Sequence, residues 1–153
     1  MMTNEALTEF IKNLVPEAEF SENTQFLLAT VPSTSTRKLM EALRNDASTS
    51  FDYMFCLSGV DYTEYLQVVY HLKSTEHGHQ VVIHATISDR ENPEIETMSD
   101  IWRTAEFHER EAYDFYGIRF LDHPDLRRIF LDDEWVGWPM RKDYVDPVNM
   151  IEY

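Results

Sequence analysis

Two runs of alternating residues, EYLQVVYHLK (64–73) and HQVVIHATIS (79–88), flank the short stretch STEHG (74–78). Both runs are rich in β-branched and aromatic side chains, which suit the pleated, half-buried surface of a strand. The polar stretch between them, with Gly78 supplying backbone freedom, reads as a hairpin turn. In the second run Val81, Ile83, Ala85 and Ile87 share one face, while Gln80, Val82, His84 and Thr86 share the other. A hairpin at the middle of the chain constrains everything around it. Runs of strands joined by hairpins point to an α+β fold, not to a doubly wound parallel sheet.

The flanking segments fill in that plan. NEALTEFIKNLVP reads as a short amphipathic helix with Ala6, Leu7, Phe10, Ile11 and Leu14 on its apolar face, ended by Pro16. AEFSENTQFLLATVP reads as two short strands about a Ser-Glu-Asn turn. STSTRKLMEALRND is a second helix, with Ser33, Thr34 and Ser35 as candidate caps and Leu39, Met40 and Leu43 as its buried stripe. FDYMFCLSGV is nearly all apolar, as expected of a central strand covered on both faces. DRENPEIETMS reads as a polar loop, and a third helix is expected over roughly Ser99 to Tyr116, closed by Gly117 in a left-handed cap. The predicted fold is therefore a two-layer α+β domain of order α-β-β-α-β-β-β-α, with a mainly antiparallel sheet, over residues 1–117. Residues 118–153 form an irregular C-terminal docking tail: Pro124, Pro139, Pro147 and Gly137 oppose a further regular element. Ile129, Phe130, Trp135, Trp138 and Met140 are poor residues for disorder, so the tail is expected to lie on a surface, part of which belongs to another protein.

Charge removes several classes of function. With 28 acidic and 13 basic side chains the net charge is −15, which repels phosphate backbones and anionic lipid headgroups. Binding to nucleic acid is not expected. No run of 18 apolar residues is present, so no direct insertion into a bilayer is expected either. The opening MMTNEALTEFIKNL has no basic region and reads as neither a secretory signal nor a transit peptide, so a cytoplasmic setting is expected. The single cysteine, Cys56, reads as a small buried hydrophobe and cannot by itself form a disulfide, a CxxC pair or an iron–sulfur site.

One segment is too charged for a core and too apolar for a solvated loop. EREAYDFYGIRFLDHPDLRRIF (109–130) sets five carboxylates and four arginines among two tyrosines and three phenylalanines. Glu106, Arg110 and Asp114 lie four residues apart on one line of the third helix. Asp114 falls in the last turn, where the helix dipole disfavours an anion by about 0.3–1 kcal/mol. A compensating cation is required, and Arg127, Arg128 and Arg141 are the candidates. The segment reads either as a carboxylate–arginine lattice that fixes the tail or grips a partner, or as a solvated charged face.

Other candidates for chemistry are weaker. Glu109, Asp114 and His123 could be imagined as an acid–base set, but no nucleophile elbow or glycine-rich phosphate loop accompanies them. His77 and His79 form an H-x-H pair able to ligate a metal, beside His71 and His84 on one outer face; the plainer reading is a polar turn with solvent-facing histidines. Trp135 and Trp138, beside arginines, read as anchors of a protein–protein contact.

EREAYDFYGIRFLDHPDLRRIF also resembles the signature of the C subunit of proton-pumping NADH:quinone oxidoreductase (complex I), the 30-kDa subunit family. Glu109, Arg110, Glu111, Asp114, Phe115, Tyr116, Gly117, Ile118 and Phe120 correspond, as do His123, Pro124, Leu126, Arg127 and Arg128. GWPMRKDY resembles the family's second element through Gly137, Pro139, Arg141, Lys142, Asp143 and Tyr144, with Met140 in place of leucine and Trp138 beside it. The resemblance implies a non-catalytic structural subunit of the peripheral arm of a proton-translocating complex, on the cytoplasmic side of the bacterial inner membrane. It implies no cofactor in this chain, with FMN and iron–sulfur clusters in partner subunits. The implied partners are the quinone-site D subunit and the B subunit, and the implied interface or signature residues are Glu109, Arg110, Glu111, Asp114, His123, Pro124, Arg127, Arg128, Trp138, Arg141, Lys142 and Asp143. Related subunits serve membrane-bound hydrogenases and formate hydrogenlyase, which is the alternative; a stand-alone metal-dependent hydrolase using the histidines is a third.

Overall fold

The structure, a computed structural model, describes residues 2–22, 25–146 and 148. Two helices bracket the first hairpin: α1 (Asn4–Leu14), β1 (Glu19–Glu22), β2 (Leu27–Pro32) and α2 (Ser33–Asn45). Three strands follow, β3 (Tyr53–Asp61), β4 (Leu66–Lys73) and β5 (Gln80–Ile87). The chain then makes β6 (Glu94–Glu96), α3 (Ala105–Tyr116) and β7 (Arg119–Leu121). The main sheet has the order β1-β2-β5-β4-β3. All its pairings are antiparallel except β2 with β5, the parallel join where α2 and the β3–β4 hairpin intervene. The α+β class, the hairpin of β4 and β5 and the apolar face of Val81, Ile83, Ala85 and Ile87 stand as expected. The Ser-Glu-Asn turn is only partly inside the described residues.

The helices pack their stripes on that face. Leu7 and Ile11 of α1 and Leu39, Met40 and Leu43 of α2 are buried with Ala29, Val68, Tyr70, Leu72 and Ile83 of the sheet. Each such side chain withdrawn from water contributes about 1.5–3 kcal/mol before conformational entropy is counted against it. Thr3 caps α1 by accepting from the Ala6 N–H. The hydroxyl caps expected for α2 are not used. Strand β2 runs straight into the helix, so Pro32 occupies the cap and Ser33, Thr34 and Ser35 already lie in the first turn. There Ser35 donates to Glu17, and Thr36 donates to the Pro32 carbonyl.

The apolar run Tyr53–Val60 lies at an edge of the sheet, not at its centre. Its cover on the open side is a helix. Thr104 Oγ1 donates to the Met54 carbonyl, and His108 Nδ1 lies 3.4 Å from Leu57 N and 3.2 Å from Leu57 O. An apolar strand needs apolar neighbours, and α3 supplies them while shielding an edge that would otherwise offer free N–H and C=O groups. A bulge between Met54 and Cys56 leaves Tyr53 47% and Phe55 37% exposed, and Cys56 only half-buried.

Helix α3 begins at Ala105, later than expected, because residues 99–104 form turns. The polar loop and the start of the tail, in which no regular element was anticipated, contain β6 and β7. They pair in parallel with Ile95 beside Phe120. Ile118 and Phe120 are buried in the core, so the chain beyond Gly117 contributes to the body before it becomes irregular. His79 is also a correction: it is 7% exposed, with Nε2 donating to the Thr49 carbonyl and Nδ1 accepting from Met2 N.

Candidate functional site

Helix α3 ends at Gly117, whose φ of 71° is the left-handed conformation that glycine adopts without strain. A Cβ at this position would lie 2.4 Å from the Trp138 ring. The helix end, the glycine and the indole are thus in direct contact, and a C-terminal strap (residues 122–146) closes over them.

Asp114 organises that strap. Its side chain is fully buried, and its Oδ2 accepts from three consecutive main-chain N–H groups, Ile129 (3.1 Å), Phe130 (2.7 Å) and Leu131 (3.1 Å). Arg128 Nη1 donates to both Oδ1 and the main-chain carbonyl of Asp114, at 2.9 Å each. Burial pushes this carboxyl up, but the N–H groups and the guanidinium outweigh it and hold the acid below its ordinary value. A buried anion bonded to several donors is stable where a bare one would not be.

Arg128 spends its other donors on the strap itself. Its Nη2 reaches the carbonyls of Trp135 and Gly137, both at 3.0 Å, and its guanidinium lies 4.6 Å from the centre of the Trp138 ring. Arg110, one turn before Asp114, is 7% exposed and donates to the carbonyls of Arg127 (3.1 Å) and Arg128 (3.0 Å). The expected line of side-chain pairs through Glu106, Arg110 and Asp114 is therefore replaced by bonds to strap carbonyls, because buried main-chain groups must find partners. Of the three arginines expected to answer Asp114, only Arg128 does. Arg141 instead donates to the Tyr116 carbonyl (2.6 Å) at the helix end and to Arg90 O (3.1 Å). Arg127 is exposed and pairs with Asp125.

Two further anchors fix the region. Asp61, at the end of β3, accepts from Arg90 (2.5 Å), from the N–H of Lys142 (2.9 Å) and from Thr63 N (2.7 Å). The Arg90 hydrogen bond holds its carboxyl far below the usual range. Asp143 lies 3.3 Å from the same Arg90. Sequence reasoning missed both Asp61 and Arg90; an acid closing an apolar strand and an arginine in the polar loop were the available signals.

Glu109 and His123 form a separate cluster. Glu109 Oε1 accepts from Met98 N (2.7 Å) and Oε2 from Thr97 Oγ1 (2.5 Å). Burial pushes its carboxyl up to about 7 despite those donors. His123 Nε2 lies 3.7 Å from Oε2 but donates to the Glu106 carbonyl at 2.9 Å, while Nδ1 accepts from Asp125 N. Both ring nitrogens are thus within hydrogen-bond distance of main-chain partners. Asp114 is not part of this cluster. Glu111 is half-buried on α3, and Pro124 is exposed beside a polar cleft of about 530 Å³ in which Arg37 and Asp100 are already paired. Among the described residues no group of three or more His, Cys, Asp or Glu side chains is placed to hold a metal ion.

The body and its strap together match the fold of a chain from the membrane-bound sulfane sulfur reductase, an archaeal respiratory membrane complex. The TM-score is 0.77 at 26% identity, over 94% of this chain and 86% of that one. The fold is thus one found in a respiratory membrane complex. The sequence is more specific: residues 29–148 match the family model for the respiratory-chain NADH dehydrogenase 30 Kd subunit, and the chain belongs to that family. It is 48% identical over 110 residues to the C/D subunit of NADH-quinone oxidoreductase from Phocaeicola vulgatus, covering 71% of this chain and 21% of that one. It is 50% identical over 104 residues to the C subunit of the same enzyme from Chloroherpeton thalassium, covering 67% and 43%. The chain thus spans less than half the length of either relative. No helix among the described residues is long and apolar enough to cross a membrane.

Proposed function

We propose that the chain is a structural subunit of the peripheral arm of a proton-translocating NADH:quinone oxidoreductase, lying on the cytoplasmic side of the bacterial inner membrane beside the quinone-site D subunit and near the B subunit. The observation that carries this reading is the C/D relatives, in which a segment like this one occupies about a fifth of a longer polypeptide named for both parts. Segments joined in one chain in one organism commonly meet as separate chains in another. The site chemistry supports a scaffold: Asp114, Arg110 and Arg128 are spent on main-chain bonds and on the Asp114–Arg128 ion pair within the chain, leaving their charges no substrate to act on. On this reading FMN and the iron–sulfur clusters reside in partner subunits, and electron transfer belongs to the assembly.

A second reading keeps the scaffold and changes the assembly. The sulfane sulfur reductase chain shares the fold over nearly the full length of this one, which supports use of the same part in a respiratory membrane complex other than an NADH:quinone oxidoreductase; a hydrogenase or formate hydrogenlyase is the alternative proposed. Native purification of the tagged chain with mass spectrometry separates the two. Recovery with flavin- and NADH-binding subunits supports the first reading. A nickel-bearing large subunit in their place supports the second, and recovery of the chain alone overturns both.

A further inference from the structure

The arginines and Trp138, expected at a partner interface, are mostly turned inward, and a different set of residues faces out. Phe107 is 59% exposed, Phe130 63% and Met140 55%. They belong to one surface. Phe107, Glu111 and Phe115 succeed one another at four-residue spacing along α3. The Phe130 ring stacks on Phe115 with centroids 5.5 Å apart and planes 7° from parallel, and Met140 N donates to the Phe115 carbonyl. The bonds from Asp114, Arg110 and Arg128 hold the strap that carries Phe130 and Met140, so these apolar side chains are presented on a fixed frame. Exposed aromatics on a fixed frame lose little freedom on binding.

We propose that Phe107, Phe115, Phe130 and Met140 form the contact by which this chain docks on the polypeptide corresponding to the remainder of the C/D relatives. The occupant presents an apolar groove edged by lysine or arginine. Its charge follows from the surroundings: Asp132, Asp133 and Glu134 are exposed on the strap just beyond Phe130, and the whole chain carries −15. Such a surface attracts a basic partner and repels an anionic bilayer. The identity of the occupant follows from the relatives, in which 21% of the polypeptide matches this chain and the rest is joined to it covalently. The inference rests on the assembly role proposed above and names the surface that performs it.

The test co-expresses the tagged full chain with the separate D subunit and measures how much of that partner is recovered per tagged chain. The double variant Phe107→Ser/Phe130→Ser is expected to lower recovery by about tenfold or more, as loss of paired aromatic anchors does. Its far-UV spectrum and thermal midpoint should stay near those of the wild type. Tyr53→Ser/Phe55→Ser, at the exposed aromatics of β3, should leave recovery unchanged. Equal recovery by the Phe107/Phe130 variant and the wild type overturns the surface while leaving the assembly role standing. Failure of the wild-type chain itself to recover the partner overturns both. Binding of the wild-type chain to vesicles of equimolar phosphatidylcholine and phosphatidylglycerol, lost in the Phe107/Phe130 variant, assigns the patch to lipid and also overturns the proposal.

Discussion

The body and the strap are held together by different physics. In the body, side chains such as Leu39, Met40, Leu43 and Ile83 are wholly withdrawn from water and pack as a continuous core. In the strap, Phe130, Val136, Met140 and Val145 remain more than half exposed, and the chain is fixed by charged side chains bonded to main-chain groups. Apolar packing is cooperative and tolerant of exchange among similar shapes. Bonds to carbonyls and N–H groups are directional, and each loss leaves a buried group unpaired. The body should therefore melt as a unit, while the strap can be released by one substitution.

Asp114→Ala breaks this contrast most sharply. It removes the acceptor of three N–H groups and leaves Arg128 without its carboxylate, and unpairing a buried ion of this kind costs about 3–5 kcal/mol. The expected loss is local: faster amide exchange and protease cleavage across residues 122–146, with the exchange of β4 and β5 unchanged. Met40→Ala is the matched change in the body, costing about 2–5 kcal/mol, and it should accelerate exchange through the whole sheet together. If Asp114→Ala accelerates exchange in β4 and β5 as much as in the strap, the two regions are a single cooperative unit.

The Glu109 cluster sharpens the comparison through pH. Its carboxyl stands at about 7 in the folded chain against an ordinary 4.5, so the folded state holds this proton to higher pH than the unfolded state does. The associated stability is complete below the unfolded value and is lost as pH rises through about 7. Across that window the change amounts to about 2–3 kcal/mol. Glu109→Gln should flatten the decline in denaturation midpoint between pH 5 and 8 by about that much, because the amide cannot ionise, while its oxygen still accepts from Met98 N and its NH2 can donate to Thr97 Oγ1. A variant whose midpoint falls as steeply as the wild type would place the proton elsewhere.

Gly117→Ala is expected to act at the seam between the regions. Holding alanine at a φ of 71° costs about 1–2 kcal/mol, and the new Cβ must also displace the Trp138 ring from 2.4 Å. Trp138 emission should shift to the red while the far-UV spectrum of the body is kept. Unchanged emission would mean that the indole is not seated on the helix end.

The two regions were also unequally legible in the sequence. Strands β4 and β5 and the stripes of α1 and α2 carry period-two or 3.6-residue patterns that one side-chain sequence suffices to display. The apolar run of β3 misled because composition does not distinguish cover by neighbouring strands from cover by a helix. Asp114 was readable as an anomaly, an acid at the wrong end of a helix, and of the three arginines it pointed to, Arg128 alone pairs with it. The other half of the strap's bonding was not readable. Arg110 and Arg128 bind carbonyls of residues 127, 128, 135 and 137, and a carbonyl belongs to every residue alike. Asp61 and Arg90 meet across 29 positions with no periodic pattern to join them. Of the two uses that the sequence left open for these arginines, fixing the tail or gripping a partner, Arg110 and Arg128 serve the first.

Arg127 carries the smallest expected effect on the fold and so the cleanest distinction. It sits in the same Arg-Arg pair as Arg128, yet its side chain is 66% exposed and pairs with an exposed Asp125, an arrangement that contributes little in water. Its structural role lies in its carbonyl, which accepts from Arg110 and survives any side-chain change. Arg127→Ala should therefore alter stability by no more than about 0.5 kcal/mol, measured by denaturant midpoint at unchanged m-value. Arg128→Ala, one residue away, should expose the strap to protease as Asp114→Ala does. If the two alanine variants instead lose stability equally, the strap is held by general charge and not by directed bonds. If Arg127→Ala leaves the fold intact but weakens recovery of the D subunit, the exposed guanidinium is one of the few strap cations free to face a partner.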